Sequence, residues 1–190
     1  DSGAFENTSI TNIIWPENDQ RDGTTISIGE NLFKDCSKLT YGHIPHWMDN
    51  IPASLYDHCT AMSEIIWDTP SDRTQLNIGK HAFSGTAIPA IAWPDVPTVL
   101  GAGTFADCKN ATAIIWPQNP VKLDSEVFRN TGISGELRSP ETLPSYITWL
   151  PYAAFAGTNL TKVTIPERIT GLHEFVFADC KQLKAITIES

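Results

Sequence analysis

Charged residues are scarce in this 190-residue chain, at 18%, against roughly a quarter in ordinary soluble proteins. Base is scarcer than acid, with 13 Lys and Arg against 22 Asp and Glu and a formal net charge of −9. That deficit excludes the basic footprint that nucleic-acid binding needs and argues against docking on anionic lipid. No apolar run exceeds five residues, so no helical membrane span is expected. The start, Asp1-Ser2-Gly3-Ala4-Phe5, lacks the charged and apolar regions of a signal peptide. A leader or anchor that was removed or lies upstream is compatible with that start. What remains suffices for a modest core: Ile, Leu, Val and Phe fill 46 of 190 positions, above the roughly 20% below which a charged chain stays disordered.

What is present is a repeat. Phe5, Phe33, Tyr56, Phe83, Phe105, Phe128, Phe155 and Phe177 are spaced by 28, 23, 27, 22, 23, 27 and 22 residues. Three residues after each stands Thr8, Cys36, Cys59, Thr86, Cys108, Thr131, Thr158 or Cys180. Five before each, from the second onward, stands Ile28, Ile51, Ile78, Leu100, Leu123, Leu150 or Leu172. Where the marker is Cys, the next apolar residue comes three later (Leu39, Met62, Ala111, Leu183); where it is Thr, two later (Ile10, Ile88, Ile133, Leu160). This one-residue coupling persists across eight units, near 1–28, 29–51, 52–78, 79–100, 101–123, 124–150, 151–172 and 173–190. Asp1–Phe5 aligns with Asp124–Phe128, so the chain opens inside a unit and the repeat is expected to continue upstream.

Each unit reads as strand, turn, short helix, turn. Segments such as Ile13-Ile14-Trp15-Pro16 and Val163-Thr164-Ile165-Pro166 alternate as half-buried strands do, and the Pro stops strand pairing. The run from Ile or Leu to the aromatic predicts one or two helical turns. Just after the aromatic come Asn7, Asp35, Asp57, Gly85, Asp107, Asn130, Gly157 or Asp179, types that tolerate the left-handed conformation ending a helix. A unit this small cannot bury its own apolar face, but stacked units bury a continuous one.

The run Phe177-x-x-Cys180-x-x-Leu183-x-x-Ile186-x-Ile188, with Leu172 ahead of it, resembles the BspA-type (Treponema-type) leucine-rich repeat. The resemblance covers essentially the whole chain. It implies an α/β repeat solenoid: a right-handed leucine-rich-repeat superhelix of about eight units, with a parallel sheet on one side and short helical turns on the other. It also implies a secreted or cell-surface bacterial protein used for adhesion or protein binding, without catalysis or cofactor.

The candidate chemistry is thin. Each Cys shares its position with Thr, and both are small and weakly polar, which suits a buried site beside turn backbone. Only Cys36 and Cys59 fall in adjacent units and could meet, although parallel side chains rarely reach disulfide geometry. His43-Ile44-Pro45-His46 is half a metal site with nothing at useful spacing to complete it. His58 and Cys59 point apart, which suits no nucleophile–base pair.

Binding is expected on the sheet instead. The outward strand positions carry Ile14, His43, Ile66, Ala92, Ile115, Arg138 and Thr164, flanked by Tyr41, Glu64 and Lys162. The N-terminal two-thirds of that row is unusually apolar, and exposed apolar patches often mark partner sites. Trp15, Trp67, Trp93 and Trp116 replace the Ile that ends other strands. They are expected either to fill the core or, tilted outward, to stack a glycan. Three loops are long (Glu17–Ser27, Thr69–Asn77, Glu141–Trp149) and are places for specific contacts. The expected role is a non-catalytic binding module for a protein or surface polymer. A spacer array and a glycan-binding module are the alternatives.

Overall fold

The computed structural model describes residues 1–16, 27–68, 73–138 and 141–190. The loop Glu17–Ser27 and the start of Thr69–Asn77 therefore lie largely outside the described residues. Thirteen short strands run through the remainder: β1 (Tyr41–Ile44), β2 (Asn50–Ile51), β3 (Glu64–Trp67), β4 (Leu76–Ile78), β5 (Ile91–Ala92), β6 (Thr98–Leu100), β7 (Ile114–Ile115), β8 (Val121–Leu123), β9 (Ser134–Leu137), β10 (Trp149–Leu150), β11 (Asn159–Ile165), β12 (Gly171–Leu172) and β13 (Ala185–Ile188). All pairings are parallel, as a stack of like coils requires.

Two ladders result. The expected strand face comprises β1–β3, β5–β7 and β9–β11–β13. A second face, β2–β4–β6–β8 and β10–β12, holds the Ile or Leu five residues before each aromatic from Tyr56 onward; Ile28 lies in no strand. Sequence periodicity assigned those residues to a helical run, but two or three strand residues are too few to show alternation.

The helical turns are corrected by the structure: no helix occurs among the described residues. The reason lies in the backbone. Left-handed residues occur two before each aromatic (Gly3, Asn31, Ser54, His81, Gly103, Glu126, Ala153, Phe175) and again two after (Asn7, Asp35, His58, Gly85, Asp107, Asn130, Gly157, Asp179). In the Tyr56 unit the left-handed residue is thus His58, not Asp57. Two such residues four positions apart break the helical ladder. The N–H groups turn to the next coil instead: Gly103 donates to Ser125 O at 2.8 Å, Phe105 to Val127 O at 3.0 Å and Asp107 to Arg129 O at 2.7 Å. Such an inter-coil bond, from Ala153 N–H to Glu174 O at 3.0 Å, holds even Ala153 at positive φ, which costs non-glycine residues about 1–2 kcal/mol.

The core is a column of rings. From Phe5 to Phe177, successive aromatics sit 5.3–6.4 Å apart between centroids, most of them stacked. Gly42 takes an inward strand position because a Cβ there would lie 2.7 Å from Met62 Sδ and 3.2 Å from the Tyr56 ring.

Beside the rings runs the Cys/Thr column. Thr86, Thr131 and Thr158 donate to the aromatic carbonyl of their own coil at 2.8–2.9 Å. Cys36, Cys59, Cys108 and Cys180 reach the preceding coil's carbonyl at 3.1–3.2 Å. That difference in reach is the physical content of the two subclasses. All four cysteines are buried free thiols, Cys36 and Cys59 included. Burial pushes the Cys59 thiol up to about 12 and the Cys108 thiol up to about 11, so both stay protonated and donate.

Candidate binding face

The expected outward row is exposed where it is most apolar. Ile14 is 88% exposed, Ile66 38% and Ile115 61%. Ala92 is half-buried and lies opposite Ile115 in the ladder, as His43 lies opposite Ile66 and Tyr41 opposite Glu64. The Tyr41 hydroxyl donates to Asn12 Oδ1, tying the first coil to this row.

The polar members form two groups. His43 Nε2 is 2.6 Å from Asp68 Oδ1, and the His46 backbone N–H donates to Asp68 Oδ2 at 3.2 Å. Partial burial raises the Asp68 carboxyl, but these hydrogen bonds outweigh it and hold the group below the usual carboxylate range. Farther along, Lys162 Nζ lies 3.0 Å from Glu136 Oε1 and Arg138 3.5 Å from Glu141. The Lys162 bond holds the Glu136 carboxyl low, and Thr164 Oγ1 donates to the same oxygen at 3.4 Å. Arg138, Lys162 and Thr164 therefore make a polar patch of their own, apart from the isoleucines. Between the two groups the strand face is interrupted twice, since no ladder joins β3 to β5 or β7 to β9 among the described residues. Next to the second break Gly135 adopts φ 84° and the β9–β11 register shifts between Leu160 and Lys162.

The tryptophans turn toward the ring column. Trp15, Trp67, Trp93 and Trp116 lie 5.7–6.1 Å from Phe33, Phe83, Phe105 and Phe128 of the following coil. Trp93 is buried and the other three are half-buried at the strand exits.

Sequence reasoning missed what secures those exits. Pro ends the ladder there, so side chains from the next coil take over its carbonyls. Trp47 donates to Pro16 O at 3.1 Å, Arg73 to Pro45 O, and Tyr146 to Pro117 O at 2.9 Å. Arg168 donates to Leu143 O and Pro144 O, both at 3.0 Å. The signal was available as a long donor roughly one unit after Pro16, Pro45, Pro117 and Pro144, but its residue type varies.

A family model for the BspA type leucine-rich repeat region matches the chain in six copies, over residues 1–75, 26–144 and 140–190. The chain belongs to the BspA-type leucine-rich repeat family. No curated protein matches it. Among solved structures, it is similar to a leucine-rich repeat protein of T. pallidum, with a TM-score of 0.65 and 20% identity, over 88% of this chain and 76% of that one. A leucine-rich repeat protein from Eubacterium ventriosum aligns at a TM-score of 0.46 and 16% identity, over 81% and 33% of the two chains. A leucine-rich cell surface protein from Faecalibacterium prausnitzii aligns at 0.40 and 18%, over 84% and 62%. The T. pallidum likeness supports the parallel solenoid of the BspA-type repeat.

Proposed function

We propose that this BspA-type chain is a non-catalytic binding or adhesion module of a bacterial cell-surface or secreted protein. Its ligand, a protein or surface polymer, lies on the strand face and the loop Glu141–Trp149. One observation carries the reading: Ile66 and Ile115 are exposed at outward positions of β3 and β7, and Ile14 at the equivalent repeat position of the first coil, where the expected strand does not form; burial there would gain nothing from within the stack. Solenoids commonly bind through the face that their stacked units present. Side chains of ten residues contribute, namely Ile14, Tyr41, His43, Glu64, Ile66, Ala92, Ile115, Arg138, Lys162 and Thr164. The test is binding to a panel of immobilised extracellular proteins and polysaccharides by wild type and by an Ile66→Asp/Ile115→Asp double variant. Binding should fall sharply in the variant while its urea midpoint holds. Unchanged binding removes the face, and a wild type that binds nothing favours a spacer array. A glycan-binding module is the other alternative: all four strand-end tryptophans pack against the ring column, but Trp15, Trp67 and Trp116 stay half-buried at the edge, as does Tyr41.

A further inference from the structure

Near the C-terminal end the second face carries an aromatic patch, apart from the outward strand row. Trp149 is the outward residue of β10 and lies opposite Gly171 of β12 in the ladder. A Cβ at Gly171 would stand 2.6 Å from Trp149 Cδ1, so the glycine is what lets the indole lie across β12. The indole meets the His173 ring at 5.7 Å and 79°, and Tyr152 meets Phe175 at 5.6 Å and 72°. Each pair forms a corner of two nearly perpendicular rings. Much of the patch is open, since Trp149 is 45% exposed, Tyr152 39% and Phe175 60%.

Backbone strain and free polar atoms both point to a ligand here. Phe175 adopts φ 61°, in the left-handed region, where the other units place glycine, alanine or a polar residue. A bulky side chain there is a genuine outlier, and its exposure means that no core burial offsets the strain. Strain of that kind collects at ligand sites. The Trp149 N–H and the Tyr152 hydroxyl have no hydrogen-bond partner among the described residues, whereas Trp15, Trp47 and Trp116 all donate within the fold. Glu174, between His173 and Phe175, is exposed and in no ion pair among the described residues.

The extent of the patch selects the ligand. An aromatic side chain covers about 150–250 Å², so the exposed parts of Trp149, Tyr152 and Phe175 together offer about 200–350 Å². A stable protein interface takes about 800 Å² from each partner. A sugar chain suits the smaller area. Its C–H faces stack on the negative face of an aromatic ring, while its hydroxyls meet the indole N–H, the Tyr152 hydroxyl and the Glu174 carboxylate. The patch holds no Lys or Arg to receive an acidic sugar.

We propose that this patch binds a short neutral oligosaccharide, stacked on Trp149 and on the Tyr152–Phe175 pair. The site goes beyond the strand-face reading and shares only Trp149 with the loop Glu141–Trp149.

The test screens the intact chain on an array of neutral and acidic oligosaccharides, then titrates the strongest neutral binder by calorimetry and by tryptophan fluorescence. Trp149→Ala should weaken binding by about tenfold or more, and Phe175→Gly by about fivefold. Phe175→Gly also relieves the strained φ, so its urea midpoint should hold or rise. Trp149→Phe keeps a ring, so its affinity should stay within about threefold while the sugar-induced fluorescence change is lost. Val99→Thr, at the equivalent outward position of β6, should bind as the wild type does. Affinity should not respond to added salt. No glycan binding, binding of acidic glycans only, or binding that survives both Trp149→Ala and Phe175→Gly overturns the inference. So does a lowered urea midpoint in Phe175→Gly with binding intact, which makes the ring structural. A panel of proline-rich peptides runs alongside. Peptide binding that Trp149→Ala abolishes, without glycan binding, reassigns the patch to protein and overturns the sugar.

Discussion

Phe105→Ala probes what couples the coils. Phe105 is fully buried and meets three rings: Phe83 at 5.6 Å, Phe128 at 6.4 Å and Trp93 at 6.0 Å. Truncating a core Phe costs about 3–5 kcal/mol through lost transfer and a cavity, and ring pairs contribute about 0.5–1.5 kcal/mol each beyond area. These contributions overlap, so the expected cost lies at the upper end, about 4–5 kcal/mol. That is comparable to a domain's whole stability of about 5–15 kcal/mol. In a stack whose coils touch only neighbours, such a loss also uncouples the two halves. Urea unfolding followed by far-UV dichroism and by tryptophan fluorescence should then lose coincidence, with a smaller apparent slope. Phe177→Ala is the control: this ring is half-buried with one ring neighbour, Phe155 at 6.0 Å, and should cost about 1–2 kcal/mol with coincident transitions. Equal costs for the two variants, or a Phe105→Ala cost below about 2 kcal/mol with an unchanged slope, would refute the column as the coupling element.

Three further outcomes follow from the same contacts. Cys59 and Cys108 have folded values raised by burial from 9.0 to about 12 and about 11. Their contribution is therefore full below pH 9 and lost as pH rises toward the folded values. In reducing buffer the urea midpoint should fall across that window, and less so in a Cys59→Ala/Cys108→Ala variant; parallel profiles would count against it. Asp68 has a folded value depressed by its histidine contacts, so its stabilisation is present above the ordinary carboxylate value and fades as pH falls through the lower one. Asp68→Asn should flatten the acid limb of an unfolding-versus-pH profile, and an unaltered limb would mean that the histidine cluster contributes nothing. Arg168→Met keeps the stem but removes the donors to Leu143 O and Pro144 O. It should cost about 1–3 kcal/mol and speed proteolytic cleavage within Glu141–Trp149, and an unchanged cleavage rate would show that the clamp is idle.

Much of the architecture was legible because a solenoid writes its period into the chain. The aromatic, the Cys or Thr three residues on, and the one-residue coupling to Leu39 or Ile88 all report a common coil. The outward row was legible for the same reason: strand alternation placed Ile14, Ile66 and Ile115 on the far side from the rings. The turns were misread because Ile-Gly-x-x-x-Phe has helical spacing, while the left-handed residues that forbid a helix include Ser54, Glu126, Ala153 and Phe175, none of which announces that conformation. The clamp on Glu141–Trp149 left no trace in the spacing, since it depends on Trp116 and Arg168 reaching in from the coils on either side and on Tyr146 reaching out of the loop.

The sequence by itself determined the repeat, its register and which side chains face inward, since periodic burial follows from local chain geometry. Only the tertiary structure decided where each backbone N–H finds its partner. For the N–H groups flanking each aromatic those partners lie a whole coil away, and such inter-coil bonds span some 21 to 28 residues. That choice turned helices into inter-coil ladders. At the proline exits it left carbonyls for Trp47, Arg73, Tyr146 and Arg168 to hold, and so shaped the loop beside Ile115.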